Sequence, residues 1–242
     1  MTGVMTLYRT SIGKKVIMAV SGIILIGFLL VHMYGNTKMF LGPEVYNAYA
    51  AGLRELGHPI FGYEHLLWIM RVVLVSSIVL HMWSASALSV QTQASAGTNA
   101  VLGLPRYKRQ KSLQATYASR TMRWGGILIF LFVSFHLLHL TFGQVGFAAG
   151  AYQPEHNGEF EVYNNIVRGF QSPIVSGFYI LMMIAIGFHL YHGIWSAFQT
   201  LGLNSSANSR VFRGIAIFIA VLFVLVNCTF PIAIMSNVVT LR

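Results

Sequence analysis

Apolar residues run along this chain in five long blocks, at roughly 15–37, 65–90, 121–147, 173–200 and 210–237. A helix rises 1.5 Å per residue, so about twenty such residues cross the ~30 Å hydrocarbon core of a bilayer. Charge or turn chemistry bounds each block. Gly35-Asn36 closes the first. Ser172 is positioned to cap the fourth, with Pro173 in its first turn. Asn204 to Ser209 forms a polar turn before the fifth, and Pro231 is expected to kink that helix near its end. The segment from Pro43 to Leu56 reads as a short surface helix. The stretch 91–120, rich in Ala, Ser, Thr and Gln, reads as a loop that is flexible or docks a partner. The first block follows Lys14-Lys15 and runs into His32, Tyr34 and Lys38 without a small-residue cleavage site, which favours a retained span over a cleaved signal. The pattern predicts an all-α integral membrane protein: one domain over 1–242, built as a five-helix transmembrane bundle.

Composition agrees. The 242 residues are 55% hydrophobic and 9% charged, where soluble domains carry roughly 25% charged residues. Mean hydropathy is +0.64. The net charge of +10 would suit nucleic acid, but its distribution is that of a membrane protein. Arg9, Lys14 and Lys15, then Arg106, Lys108, Arg109, Lys111, Arg120 and Arg123, then Arg210 and Arg213 all fall in alternate connections, with no acid among them. The other connections hold every acid: Glu44, Glu55, Glu64, Glu155, Glu159 and Glu161. The positive-inside rule then places the chain in the cytoplasmic membrane, N-terminus in the cytoplasm and C-terminus outside. The single cysteine, Cys228, lies in an apolar run and reads as a packing residue. It cannot form an internal disulfide, and there is no CxxCH for covalent haem and no cysteine cluster.

Histidine carries the chemistry. Of nine histidines, His58, His65 and His156 fall in or beside the acidic connections; His32, His81, His136, His139, His189 and His192 fall within spans. Ionisable residues at membrane depth face the bundle interior and mark function. His32, His81, His136 and His189 stand 16 or 17 residues past the polar residue opening each block, namely Lys15, Glu64, Arg120 and Ser172. Each therefore lies about 25 Å along its helix. Because the helices alternate in direction, His32 and His136 share one level towards the outer face, and His81 and His189 share another towards the cytoplasm. Two histidines at each of two levels is what two bis-histidine b haems require. His139 and His192 follow one turn after His136 and His189 and remain alternative ligands, or contacts for a propionate or a quinone. Gly22, Gly27, Gly125, Gly126, Gly177 and Gly187 would leave space for a flat macrocycle or simply allow close helix packing.

These residues also resemble a known family. SGIILIGFLLVHMYGN (21–36), FHLLHLTFG (135–143) and FHLYHGIWSAFQTLGLN (188–204) are similar to the first, third and fourth spans of the five-helix, di-haem b558-type cytochrome b subunit of succinate dehydrogenase and fumarate reductase. RYKRQKSLQATYASRTMRWGG is similar to its cytoplasmic loop and third-helix start. The resemblance covers nearly the whole chain. It implies a membrane anchor for a flavoprotein and an iron–sulfur subunit on the cytoplasmic face, in a complex of undetermined oligomeric state. FAD and iron–sulfur clusters belong to those partners. Electrons would pass from succinate through them to two haem b groups and a membrane quinone, menaquinone before ubiquinone. His81 and His189 would hold the proximal haem, and His32 and His136 the distal one. With no dinucleotide fingerprint and no cysteine ligands, this chain carries no dicarboxylate chemistry of its own. Two electrons crossing most of a bilayer at 100 mV would exchange about 4 kcal/mol with the membrane potential.

Supporting candidates are Arg71, which would meet a distal propionate or snorkel to the interface, and Glu64 with His65, which would handle quinone protons or, for Glu64, favour a helix N-terminus. Tyr8, Ser11 and Trp83 mark a second quinone position near the cytoplasmic face. Competing functions are the cytochrome b subunit of another quinone-linked dehydrogenase, such as a hydrogenase or formate dehydrogenase, and a transporter that relays protons through histidine.

Overall fold

The computed structural model describes residues 8–95, 117–156 and 159–242. Its helices are α1 (Ser11–Thr37), α2 (Pro43–Gly52), α3 (His65–Ser95), α4 (Tyr117–His136), α5 (Val162–Phe170), α6 (Pro173–Thr200) and α7 (Ser209–Met235). A 3-10 turn, Lys38–Leu41, extends α1, and a π turn, Leu137–Thr141, extends α4. The only strands among the described residues are Glu155–His156 and Glu159–Phe160, an antiparallel pair. Among the described residues, five helices are long and apolar enough to span a membrane: Ser11–Leu41, His65–Gln91, Met122–Thr141, Pro173–Thr200 and Ser209–Met235. Arg106, Lys108, Arg109, Lys111 and the side chain of Arg120 lie outside what is described, as does the His156 side chain.

Local chemistry sets the boundaries. Thr10 Oγ1 accepts from Gly13 N at 3.0 Å and starts α1. Ser172 Oγ accepts from Val175 N at 3.5 Å, with Pro173 in the first turn, so α6 begins where the sequence predicts. Asn208 closes the turn before α7 by accepting from Ser205 N at 2.7 Å and donating to Leu203 O at 2.9 Å.

One expected boundary holds and one is corrected. The first α-helix ends at Thr37, directly after Gly35-Asn36, whose carbonyls accept from the Lys38 amide. Gly35 is also buried, and a Cβ there would lie 2.7 Å from the Tyr49 hydroxyl, so this glycine admits the ring of α2 against α1. The 3-10 turn that follows ends at Gly42, with φ +101°. The third span stops at Thr141 rather than 147, because the chain turns through left-handed glycines, Gly143 and Gly146.

Four spans form a ring around the histidines. α1 packs on α3 and α6, and α6 packs on α4; α7 lies outside, against α6 and α1. The spans alternate in direction, so α6 runs antiparallel to α1, α4 and α7, and α3 antiparallel to α1, while α7 runs parallel to α1. Small residues allow close approach: Ser77 and Ser84 are the buried positions of α3, and Gly187 of α6 faces Val224 of α7. Extensive packing is absent between α1 and α4, between α3 and α6, and between α3 and α4, among the described residues. The first two are the diagonals of the ring, and the third is its open side.

One end of the bundle carries a cap. α2, residues 142–156 and 159–161, α5 and the last residues close over it. Tyr163 N donates to Asn47 Oδ1 at 3.0 Å, and Tyr163 Oη donates to Thr240 O at 3.1 Å. Asn164 exchanges two hydrogen bonds with the backbone of Arg242 at 2.8 and 3.2 Å. Arg54 is held by Glu64 Oε1 at 3.1 Å and Ala50 O at 2.8 Å, with its guanidinium 3.7 Å from the Phe160 ring centre.

Candidate functional site

Each diagonal of the ring carries one histidine pair. His32 on α1 faces His136 at the end of α4, ring centres 6.0 Å apart. His81 on α3 faces His189 on α6, ring centres 6.2 Å apart. The first pair lies under the cap. The second lies towards the opposite end, where α1 begins. His81 Nδ1 sits 3.1 Å from Met18 O and 3.4 Å from Ser21 Oγ, which fixes its level on α1. From Ser21 to His32 along α1, and from Tyr179 to His189 along α6, the rise is about 15 Å. The two pairs are therefore stacked along the bundle axis.

The separation can be tested against iron. An imidazole nitrogen sits about 2 Å from a first-row metal ion, and its ring centre about 1.2 Å further, so two axial imidazoles on one iron stand about 6.4 Å apart. Both pairs fall close to that spacing. The Met18 carbonyl can only accept, so His81 Nδ1–H donates to it and Nε2 keeps its lone pair. His136 places Nδ1 3.3 Å from Tyr179 Oη, a contact in which the phenol can donate or accept. His189 Nδ1 is buried and has no hydrogen-bond partner among the described residues. No group of three or more metal-ligating side chains occurs among the described residues, so the histidines pair rather than cluster.

No protein-family model, curated protein or solved structure matches this chain.

The alternative ligand His139 is differently placed. It is fully buried, 0% exposed. Its Nδ1 is 2.9 Å from Tyr179 Oη. A Cβ on Gly169 would lie 2.7 Å from its Nε2, and one on Gly146 2.6 Å from its Cδ2. Phe147 and Phe170 close the remaining sides, with ring centres at 4.9 and 6.0 Å. Iron and a macrocycle have no room against that nitrogen. His192 is half-buried, one turn beyond His189, and among the described residues no histidine ring faces it as His81 faces His189.

Glycines divide between two uses. A Cβ on Gly22 would be 3.3 Å from His81 Cε1, and one on Gly126 4.0 Å from His189 Cε1, so each ring of this pair has a glycine of a neighbouring helix beside it. Gly27, Gly125 and Gly177 border open space, while Gly187 serves packing against α7.

The outlying candidates sit apart from the pairs. Arg71 is exposed, its guanidinium 4.6 Å from the Trp68 ring centre. Glu64 is paired with Arg54. Exposed His65 accepts from Gly62 N at 3.3 Å. At the opposite end, Tyr8 and Trp83 are exposed, and Ser11 Oγ donates to Gln91 Oε1 at 3.3 Å. Sequence reasoning missed Tyr179. Its only signal there is a phenol at the level of His136 in an otherwise apolar run.

Proposed function

We propose that this chain is the membrane-anchoring cytochrome b subunit of a succinate:quinone oxidoreductase, holding two b haems between its spans. One observation carries the reading: two histidine pairs span the diagonals of a four-helix ring at the separation of axial imidazoles on one iron. His32 and His136 are the ligands of one site, His81 and His189 of the other. The motif resemblance at 21–36, 135–143 and 188–204 supports the family, and the charge pattern supports a cytoplasmic N-terminus in the cell membrane.

The chain's own residues do three things in this reading. The pairs would supply both protein ligands to each iron, which suits electron transfer rather than oxygen chemistry. Met18 O and Tyr179 Oη hold one ring of each pair at its second nitrogen, fixing tautomer and orientation. The cap over the His32–His136 level shields that site from water on its side. When bound, the haems supply one-electron redox centres between a partner iron–sulfur subunit and a membrane quinone. Succinate chemistry, FAD and the clusters belong to the partners. A histidine proton relay requires no facing rings at this separation, so the pairs favour the haem reading over the transporter.

Co-purification tests the family. The tagged chain should bring down a flavoprotein and an iron–sulfur protein with succinate:quinone activity. Recovery with a hydrogenase or a formate dehydrogenase instead would overturn the assignment while leaving the haem sites standing.

A further inference from the structure

The two sites are anchored differently. His81 is held by a backbone carbonyl on α1. His136 is held by a side chain, Tyr179, whose hydroxyl also reaches His139. Both groups behind His136 are buried, Tyr179 at 5% and His139 at 0% exposure.

Proton counting gives the chain a direction. A phenol has one proton to donate and lone pairs to accept. A histidine that binds iron through Nε2 carries its proton on Nδ1 and can only donate there. Tyr179 therefore accepts from His136 at 3.3 Å. Its own O–H is left to donate to His139 Nδ1, the shorter bond at 2.9 Å. That puts the His139 proton on Nε2, which has no hydrogen-bond acceptor among the described residues and faces the wall of Phe147, Phe170 and two glycines. An N–H against aromatic rings is a tolerable, weak interaction. The glycine contacts prevent the His139 ring from swinging away, and the π turn that carries it begins directly after His136.

We infer that Tyr179 is the positioning residue for His136, and that caged His139 orients Tyr179, so that this buried pair sets the electron donation of His136 to iron. The inference rests on the haem reading above. An imidazole whose Nδ1–H is hydrogen-bonded is a stronger donor and favours the ferric state. Removing the acceptor raises the reduction potential of that haem and leaves the other unchanged.

The test is a redox titration of the full chain in membranes, followed optically and by electron paramagnetic resonance. Tyr179→Phe keeps the ring and its packing but removes the hydroxyl. One midpoint potential should rise, with a shifted low-spin signal, and the affected haem should be the one lost in His136→Ala. His139→Gln keeps an acceptor for Tyr179 and should give a smaller shift in the same haem. Two bound haems with unchanged potentials and signals in Tyr179→Phe overturn the inference. So does a shift confined to the haem that His81→Ala removes. If Tyr179→Phe loses the haem outright, His139→Gln decides: a shift supports the inference and an unchanged potential overturns it. A wild-type chain that binds no haem fails the underlying reading instead.

Discussion

His32 and His136 hold their ring centres 6.0 Å apart across two helices that do not pack on each other. His81 with His189 repeats the arrangement at 6.2 Å one level away, between helices that likewise do not pack on each other. Single replacements should therefore sort by pair. His32→Ala and His136→Ala each remove one haem, His81→Ala and His189→Ala each remove the other, and the haem-to-protein ratio falls from two to one. His139→Gln retains both. Pyridine haemochrome assay of each purified variant measures this; haem loss in His139→Gln with retention in His136→Ala would reverse the ligand assignment.

Glycine replacements should discriminate between levels. Gly22→Val drives a branched side chain into His81, whose ring is already 3.3 Å from a bare Cβ position. Overpacking of this kind costs about 1–3 kcal/mol. The expected result is selective loss of the His81–His189 haem with the other retained. Gly202, in a turn with a left-handed φ of +72° and open space beside it, provides a contrast: Gly202→Val strains the backbone without removing either haem. Equal haem loss in both variants would contradict a local effect.

Arg54 is the larger contributor in the Arg54–Glu64 pair. It also bonds Ala50 O and stacks on Phe160, whereas Glu64 gains only the ion pair. Half-exposed pairs are worth about 0–1 kcal/mol, and a stacked cation adds about 1 kcal/mol. Arg54→Ala should lower thermal stability more than Glu64→Gln. If Glu64 handles quinone protons, Glu64→Gln slows turnover while leaving the melting temperature nearly unchanged; loss of both together would assign it to the cap alone.

Alkaline pH should loosen the cap through Tyr46. This phenol is buried, donates to Asn36 Oδ1 at 3.2 Å, and burial raises its pKa, with Tyr49 adding to the shift. A group with a raised folded pKa contributes its full stability below its unfolded pKa of about 10 and loses it as pH rises above that value. Tyr46→Phe should flatten the stability profile above about pH 10, at the cost of about 1 kcal/mol for the lost hydrogen bond below it. An unaltered alkaline slope in Tyr46→Phe would place the sensitivity elsewhere.

The spans were legible because apolar length is a strong signal, and histidine depth needed only helix direction and the rise per residue. Ser172 and Pro173 announced the start of α6 by capping chemistry. Gly35-Asn36 marked the end of α1 correctly, but the second use of Gly35, admitting the Tyr49 ring, comes from tertiary packing and leaves no local signal. The third span read too long because the π turn at Leu137–Thr141 and the left-handed glycines after it sit within apolar sequence. The choice between His136 and His139 stayed open for the same reason: three residues along a regular helix leave both rings on nearby faces. His139 is enclosed by Gly146 and Phe147 after the π turn and by Gly169 and Phe170 of α5, contacts made only by tertiary packing. Tyr179 acquires its position from tertiary packing, which no local pattern records.

The central claim is that the paired histidines hold haem. A reduced-minus-oxidised optical spectrum of the purified chain, with haem counted per protein, tests it most directly. The account predicts the α band of a six-coordinate b haem and two haems per chain. A chain purified intact from haem-replete membranes with no α band would contradict it.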